Sequence, residues 1–485
     1  MSTRKALALS FLDRYSGMVV YTASSMVIAR LLTPAQIGVY SVTMVLLGFV
    51  ATFRDFGAGQ YLVQNRSLTE EKMRATWSVQ LGLGLFFAVL VLAAAAPVAR
   101  FYGEPQMFGI MLVLALNFAI TPFQAYPYAW LVREMRFGSI AGIRFTGALT
   151  NAVSGIGLAW LGFGPISLAW ANALSTAAGI VSVWLIASPS LPWKLVTRGI
   201  RDVVSFGSKL TATSLMNTLS SGAPEMLLGK LQGMAEAGLF SRGQGLAAMF
   251  QHLVLNAVNT VALPYFARQS REARDLGASF LVAMELLTGL AWVFFSNIAL
   301  MAYPVIRILC GAQWDAAVDP ARCLAVASAL SIPAAICSPP LIGIGAINDV
   351  LKATLLSMLA ALAATVFGTQ LGLLQLSQCL IVSGLLSSVF WIGAVRKHIG
   401  FSTGAMLRVW GKSLLVALGA SAASVMVVFY WGWRPSELLF PVLISGIGGM
   451  LGAVFMAWAS KHQLWREIQR AHLARLDKRN SPGAY

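Results

Sequence analysis

The chain has 485 residues, 58% of them hydrophobic and only 11% charged, and its 35 Lys and Arg against 18 Asp and Glu leave a net charge of +17. Soluble domains carry about 25% charged residues and disordered chains are poor in apolar ones, so both classes are excluded. The basic residues are spread through short loops between apolar blocks, not gathered in one patch, which argues against a nucleic-acid partner.

The apolar blocks have membrane-spanning length, about 20 residues each. They predict fourteen helices over 6–31, 36–60, 75–98, 106–132, 139–161, 165–187, 203–230, 235–266, 276–303, 320–346, 350–370, 376–395, 409–431 and 437–459. A backbone in lipid must satisfy its own hydrogen bonds, so such runs can only be helices. The basic start resembles the head of a signal peptide. Asp13 and Arg14 interrupt the following apolar run, however, and no small-x-small cleavage site stands out, so the run is read as an uncleaved first helix.

Placing the N-terminus in the cytoplasm puts twenty-four Lys and Arg on that side and six on the other, with Arg14, Arg54, Arg144, Lys209 and Arg242 inside helices. The bias follows the positive-inside rule, and an even helix count returns the C-terminus to the cytoplasm. The tail from Lys461 to Arg479 mixes basic residues with Leu464, Trp465, Ile468 and Leu476, and is expected to rest on anionic headgroups.

An internal repeat appears at an offset of 200. Met26, Arg30, Leu31, Ala35, Gly38, Tyr40 and Ser41 match Met226, Lys230, Leu231, Ala235, Gly238, Phe240 and Ser241. The fourth helix of each half carries prolines, Pro122 and Pro127 in one and Pro333, Pro339 and Pro340 in the other, which bend or break helices at membrane depth. Six helices separate the matched positions, so the halves share one orientation: a parallel repeat, of the kind seen in transporters. The expected architecture is an all-α polytopic membrane protein of two six-helix bundles plus two C-terminal helices. Residues 1–200 form an N-lobe and 201–400 a C-lobe, followed by two helices in 401–460 and a basic tail, 461–485.

Charges inside the membrane cost on the order of 2.5–3.5 kcal/mol each by insertion scales, so they face a partner or water. Counted from the outer turns, Asp13 and Arg14 share a level with Arg54 and Asp55, allowing crossed pairs. Glu225 and Arg242 share a second level nearer the outer turn, and Lys209 lies deeper, near the first. The repeat does not copy these charges. Arg144 and Glu285, close to cytoplasmic loops, are expected to snorkel, and Gln251 with His252 to serve helix packing or, as the alternative, a proton-linked role. Arg54, Arg14, Arg242 and Lys209 are the candidate phosphate-binding cations; Asp13, Asp55 and Glu225 are candidates for gating, ion pairing or coupling.

Other signals are weak. Asp55, Phe56 and Gly57 repeat the Asp-Phe-Gly of protein kinases without any other kinase element. There is no phosphate-binding P-loop, and the four His and the cysteines Cys310, Cys323, Cys337 and Cys379 lack metal spacing, so no metal or cofactor is expected. The Trp residues mostly flank helix ends, as an aromatic belt does.

Three stretches carry a family resemblance: Ala29 to Tyr40, Phe53 to Gly59 with Leu62 to Gln64, and Leu131 to Phe137. They resemble the polysaccharide transporter (O-antigen, Wzx-type) flippases, which share a superfamily with the multidrug and toxic-compound extrusion transporters and the lipid II flippases. The resemblance implies a V-shaped pair of six-helix bundles around a central cationic cavity. It also implies an oligosaccharide on undecaprenyl pyrophosphate, turned from the cytoplasmic to the outer leaflet of a bacterial inner membrane by alternating access. Arg54 falls in the second-helix motif. A coupling ion, H+ or Na+, is left open, and a monomer is expected because two halves already make one pathway. Two rival readings stand beside this one. A cation-coupled drug antiporter on the same fold would depend on unpaired acids. A membrane glycosyltransferase or polymerase would need catalytic groups outside the membrane, for which Asp315 and Asp319 are the sole candidates.

Overall fold

The computed structural model describes residues 17, 19–55, 59, 61–62, 69–187, 196, 200–272, 275–432 and 437–480, without the side chains of 55, 187, 201–213, 431, 471–472 and 474–480. Asp13 and Arg14 lie outside the described residues. Every regular element among them is helical. In chain order they are α1 (Val19–Leu31), α2 (Pro34–Asp55), α3 (Glu70–Tyr102), α4 (Pro105–Ile120), α5 (Pro122–Arg133), α6 (Phe137–Trp160), α7 (Ile166–Ala187), α8 (Ile200–Leu231), α9 (Met234–Phe250), α10 (Asn256–Arg271), α11 (Leu276–Cys310), α12 (Val318–Ala335), α13 (Ser338–Gly343), α14 (Ile347–Leu371), α15 (Leu373–His398), α16 (Thr403–Trp431), α17 (Leu439–Ala459) and α18 (Gln463–Asn480). A π-helical turn, Gln251–Leu255, joins α9 to α10, and a 3-10 turn, Ala312–Ala317, joins α11 to α12.

Ten of the described spans are long and apolar enough to cross a membrane, and α4 with α5, bent by 47°, makes an eleventh. The expected count of fourteen is therefore not reached by this measure. The other three expected spans are α1, cut to Val19–Leu31, α6, and α8, whose Ser, Thr, Lys209 and Glu225 dilute its apolar content. Side-chain caps open several helices on the sequence's predicted cytoplasmic side: Thr69 accepts Lys72 N–H, Asp275 accepts Ala278 N–H and Ser402 accepts Ala405 N–H, each satisfying a first-turn donor that has no partner within the helix.

The prolines act where the sequence places them. In the fourth span of the first half, the helix stops at Ile120 and restarts at Pro122; a proline suits the first turn of a helix, where its missing N–H costs nothing. The corresponding span of the second half stops at Ala335 and restarts at Ser338, ahead of Pro339 and Pro340.

The chain divides into two compact units, 1–238 and 239–485, whereas the sequence expectation divides the lobes at 200. In the first unit α8 packs along α2, α3 along α4, and α6 along α7. The opening turns of α2 and α9 cross so closely that a Cβ on Gly38 would overlap the Met234 carbonyl, and a Cβ on Gly238 the Pro34 carbonyl. Those four positions are two pairs at an offset of 200, so the repeated residues touch reciprocally. In the second unit α12 packs on α15, α14 on α15, α11 on α16 and α16 on α17, around a core that includes Phe250, Phe266, Phe280, Phe295 and Met284.

Candidate functional site: a guanidinium at a helix break

Arg54 lies in the last turn of α2 in the first unit. Its guanidinium carbon sits 4.9 Å from the centre of the Phe118 ring, within cation–π range, and Nη1 donates to Thr121 Oγ1 at 3.4 Å. Thr121 is the residue between α4 and α5, and its hydroxyl in turn donates to the Asn117 carbonyl at 2.6 Å. The same carbonyl accepts the Thr121 main-chain N–H at 3.0 Å, so the hydroxyl is an added donor to it. One turn earlier, Asn117 Nδ2 donates to Asn172 Oδ1 of α7, while Asn117 Oδ1 is buried without a hydrogen-bond partner. A half-buried guanidinium beside hydroxyl and carboxamide groups can bind phosphate oxygens and sugar hydroxyls, since its planar fork suits phosphate and the neutral groups both donate and accept.

The remaining sequence candidates fall in different places. Arg14 and Asp13 are outside the described residues, and Asp55 and Lys209 are placed by backbone only. Thr52 Oγ1 lies 3.3 Å from Thr218 Oγ1 where α2 runs beside α8. Arg54 is two residues past Thr52, whereas Lys209 is nine residues before Thr218, about 13 Å along its helix against about 3 Å. Lys209 and Arg54 thus stand about 10 Å apart in level, not together as expected. Glu225 is 6% exposed, next to the helix-interior Pro224 of the first unit. Arg242 belongs to the second unit, where its guanidinium carbon stands 5.2 Å from the ring centre of Trp314. Trp314, expected in an interfacial belt, is fully buried, as is Trp77. His252, expected to serve helix packing, is exposed within the π-helical turn.

One expectation needs correction. Glu285 does not snorkel: it is 4% exposed and accepts the main-chain N–H of Gln463 at 2.9 Å, because the chain folds back beside it after α17. The outer-loop acids, for which the sequence shows no partner cluster, pair separately: Asp315 with Arg307 and Asp319 with Arg322 at 2.9 Å. Among the described residues no group of three His, Cys, Asp or Glu could hold a metal ion. Thr121, Asn117 and Asn172 were not singled out by sequence; the only hint was a Thr directly before Pro122 inside an apolar run.

Helices of this number, length and apolarity define a multi-pass membrane protein, and its fold is that of the MOP exporter superfamily. It superposes on a lipid II flippase MurJ in an inward closed conformation with a TM-score of 0.76 at 12% identity, covering 94% of this chain and 99% of that one. On an inward-facing multidrug resistance MATE family transporter the TM-score is 0.61 at 17% identity, covering 80% and 99%. A model of the family described as polysaccharide biosynthesis protein matches residues 27–319, and the chain belongs to that family. Its relatives include the succinoglycan biosynthesis transport protein ExoT of Rhizobium meliloti, 23% identical over 92% of this chain and 90% of that protein. The lipopolysaccharide biosynthesis protein WzxC of Escherichia coli is 19% identical over 63% and 62%.

Proposed function

We propose that this protein is a flippase that carries an undecaprenyl-pyrophosphate-linked oligosaccharide from the cytoplasmic to the outer leaflet of a bacterial inner membrane, by alternating access and with both termini in the cytoplasm. The observation that carries the reading is Arg54, held against Phe118 and Thr121 where α4 gives way to α5. A pyrophosphate cannot enter hydrocarbon with its charge unscreened. A guanidinium on a polar helix break replaces part of its hydration, and the nearby carboxamides do the same for sugar hydroxyls, while the polyprenyl tail stays in lipid. The resemblance to transport proteins of polysaccharide biosynthesis supports the same class of cargo. Arg14, Lys209 and Arg242 are further cations for the headgroup, with Asp13, Asp55 and Glu225 as their counter-charges or as sites for a coupling H+ or Na+; the protein acts as a monomer and performs no covalent chemistry.

The test is Arg54→Ala in the native host. Surface glycan is expected to fall to background while the protein still accumulates in the membrane, and Arg54→Lys is expected to keep part of the activity, since a point charge replaces the fork. Wild-type glycan with Arg54→Ala removes Arg54 from the site and, with it, this reading.

A further inference from the structure

The last helix, α18, does not begin in open solvent. Its first residue, Gln463, gives its N–H to Oε1 of Glu285 on α11 at 2.9 Å. Lys412 of α16 holds its Nζ 3.8 Å from the same oxygen and 3.5 Å from the Lys461 carbonyl. The neighbouring Ser413 lies 2.8 Å from Thr288 Oγ1 and 3.2 Å from Nε2 of His462. His462 is fully buried, and its Nδ1 accepts the Leu464 N–H at 3.1 Å. That acceptance puts the ring hydrogen on Nε2, which donates it to Ser413. Each polar group of the cluster thus has its partner, as burial demands.

The architecture is specific. First-turn N–H groups have no partner within their own helix, and the positive end of a helix dipole favours a carboxylate. Here that carboxylate comes from another helix, 178 positions away. Gly289 makes room: a Cβ there would stand 2.5 Å from His462 Cε1 and 2.9 Å from Nε2. Glu285 and Lys412 are both nine residues into their helices, about 13 Å. At that level the apolar run of α17 ends at Ala459, and Lys461, with a φ of 50°, turns the chain away.

What leaves this point is a basic amphipathic helix. Ile468 and Leu473 are 47% and 60% exposed, beside Arg466 and a largely exposed Arg470, and the sequence continues through Arg475, Lys478 and Arg479. Apolar side chains with flanking cations match the interface of an anionic bilayer, where the chains enter the headgroup boundary and the cations meet phosphate.

We propose that Glu285, Lys412, Ser413 and His462 form a latch that fixes the start of α18 to α11 and α16 and so lays this helix on an anionic phospholipid surface. The latch acts independently of what the protein carries. Hydrogen exchange on the full-length protein tests it, in nanodiscs of phosphatidylcholine alone and of phosphatidylcholine with phosphatidylglycerol. The amides of 462–465 are expected to be protected in both lipids, and those of 466–473 to exchange several-fold more slowly with phosphatidylglycerol present, since Arg466 and Arg470 are drawn to a charged surface while Glu467, paired with Arg470, offsets one of them. Glu285→Ala and Gly289→Ala are each expected to raise exchange at 462–465 about tenfold or more, the loss of a hydrogen bond to a charged group; the second does so without altering any charge. Protection of α12 reports that the variant is folded. If Glu285→Ala does not fold, Gly289→Ala decides alone. Unchanged protection at 462–465 in a folded Gly289→Ala protein overturns the latch, and equal exchange of 466–473 in the two lipids overturns the anionic surface.

Discussion

The two units handle charge differently. In the first, Arg54 stands against an aromatic face and a threonine hydroxyl at a helix break. In the second, charged groups are committed to one another. Arg307 holds Asp315, Arg322 holds Asp319, Asp349 takes both Lys397 and His398, and Glu285 holds Lys412 and a helix terminus. A guanidinium on an aromatic face and a hydroxyl can also take phosphate oxygens, whereas removing the partners of Glu285, which is 4% exposed, leaves a buried charge uncompensated at a cost of about 3–5 kcal/mol. Arg54 is thus placed for exchange, and the Glu285 cluster for fixed geometry.

The largest expected effect lies on the fixed side. Trp314 is fully buried beneath Arg242, so Trp314→Ala should cost about 3–5 kcal/mol, seen as a lower melting temperature in detergent and less protein in the membrane, with transport falling in proportion to folded protein. A stable Trp314→Ala protein that no longer transports would show that the ring positions Arg242 for the headgroup beyond filling the core.

A smaller effect is expected on the exchangeable side. Thr121→Val removes one hydrogen bond to Arg54, about 1.5–3 kcal/mol for a charged donor, and should slow glycan export roughly tenfold or more with melting temperature unchanged. A lowered melting temperature with normal export would assign Thr121 to its own helix alone.

The smallest effect is graded by pH. Burial first, and then the neighbouring Lys412, push His462 down to about 4 from its ordinary 6.5. The docked ring is therefore neutral, while an undocked ring takes a proton below 6.5, so docking is complete above 6.5 and weakens steadily as the pH falls from there toward 4. Glu285 on α11 and Lys412 with Ser413 on α16 face the ring. Between pH 7 and 5, above the ordinary range of Glu, about 4.3, protection at 462–465, taken relative to the intrinsic amide exchange rate at each pH, should fall in the wild type and stay level in His462→Asn. A flat wild-type profile would mean that the ring is not docked.

The apolar blocks made the helices legible, and Pro122 made the break between α4 and α5 legible, because both signals are local. The partners of Arg54 were not. Asn117, Thr121 and Asn172 are uncharged, and such residues inside helices commonly bond to their own backbone, as Thr121 also does, so nothing in the string separates them from Thr43 or Thr76, which do only that. Depth along its own chain puts Glu285 near a loop, while its surroundings are set by a segment that returns after α17. Trp314 follows the same logic: it lies in a loop by sequence, and in a core by packing.

Gly38 and Gly238, whose neighbours Pro34 and Met234 leave no space for a methyl group, carry a message about how this chain can drift. The two positions constrain each other: neither can accept an alanine while the other backbone stays where it is. A saturation library read by survival should show a matched intolerance at both places, a coupled veto that outlasts the divergence of nearly everything around them.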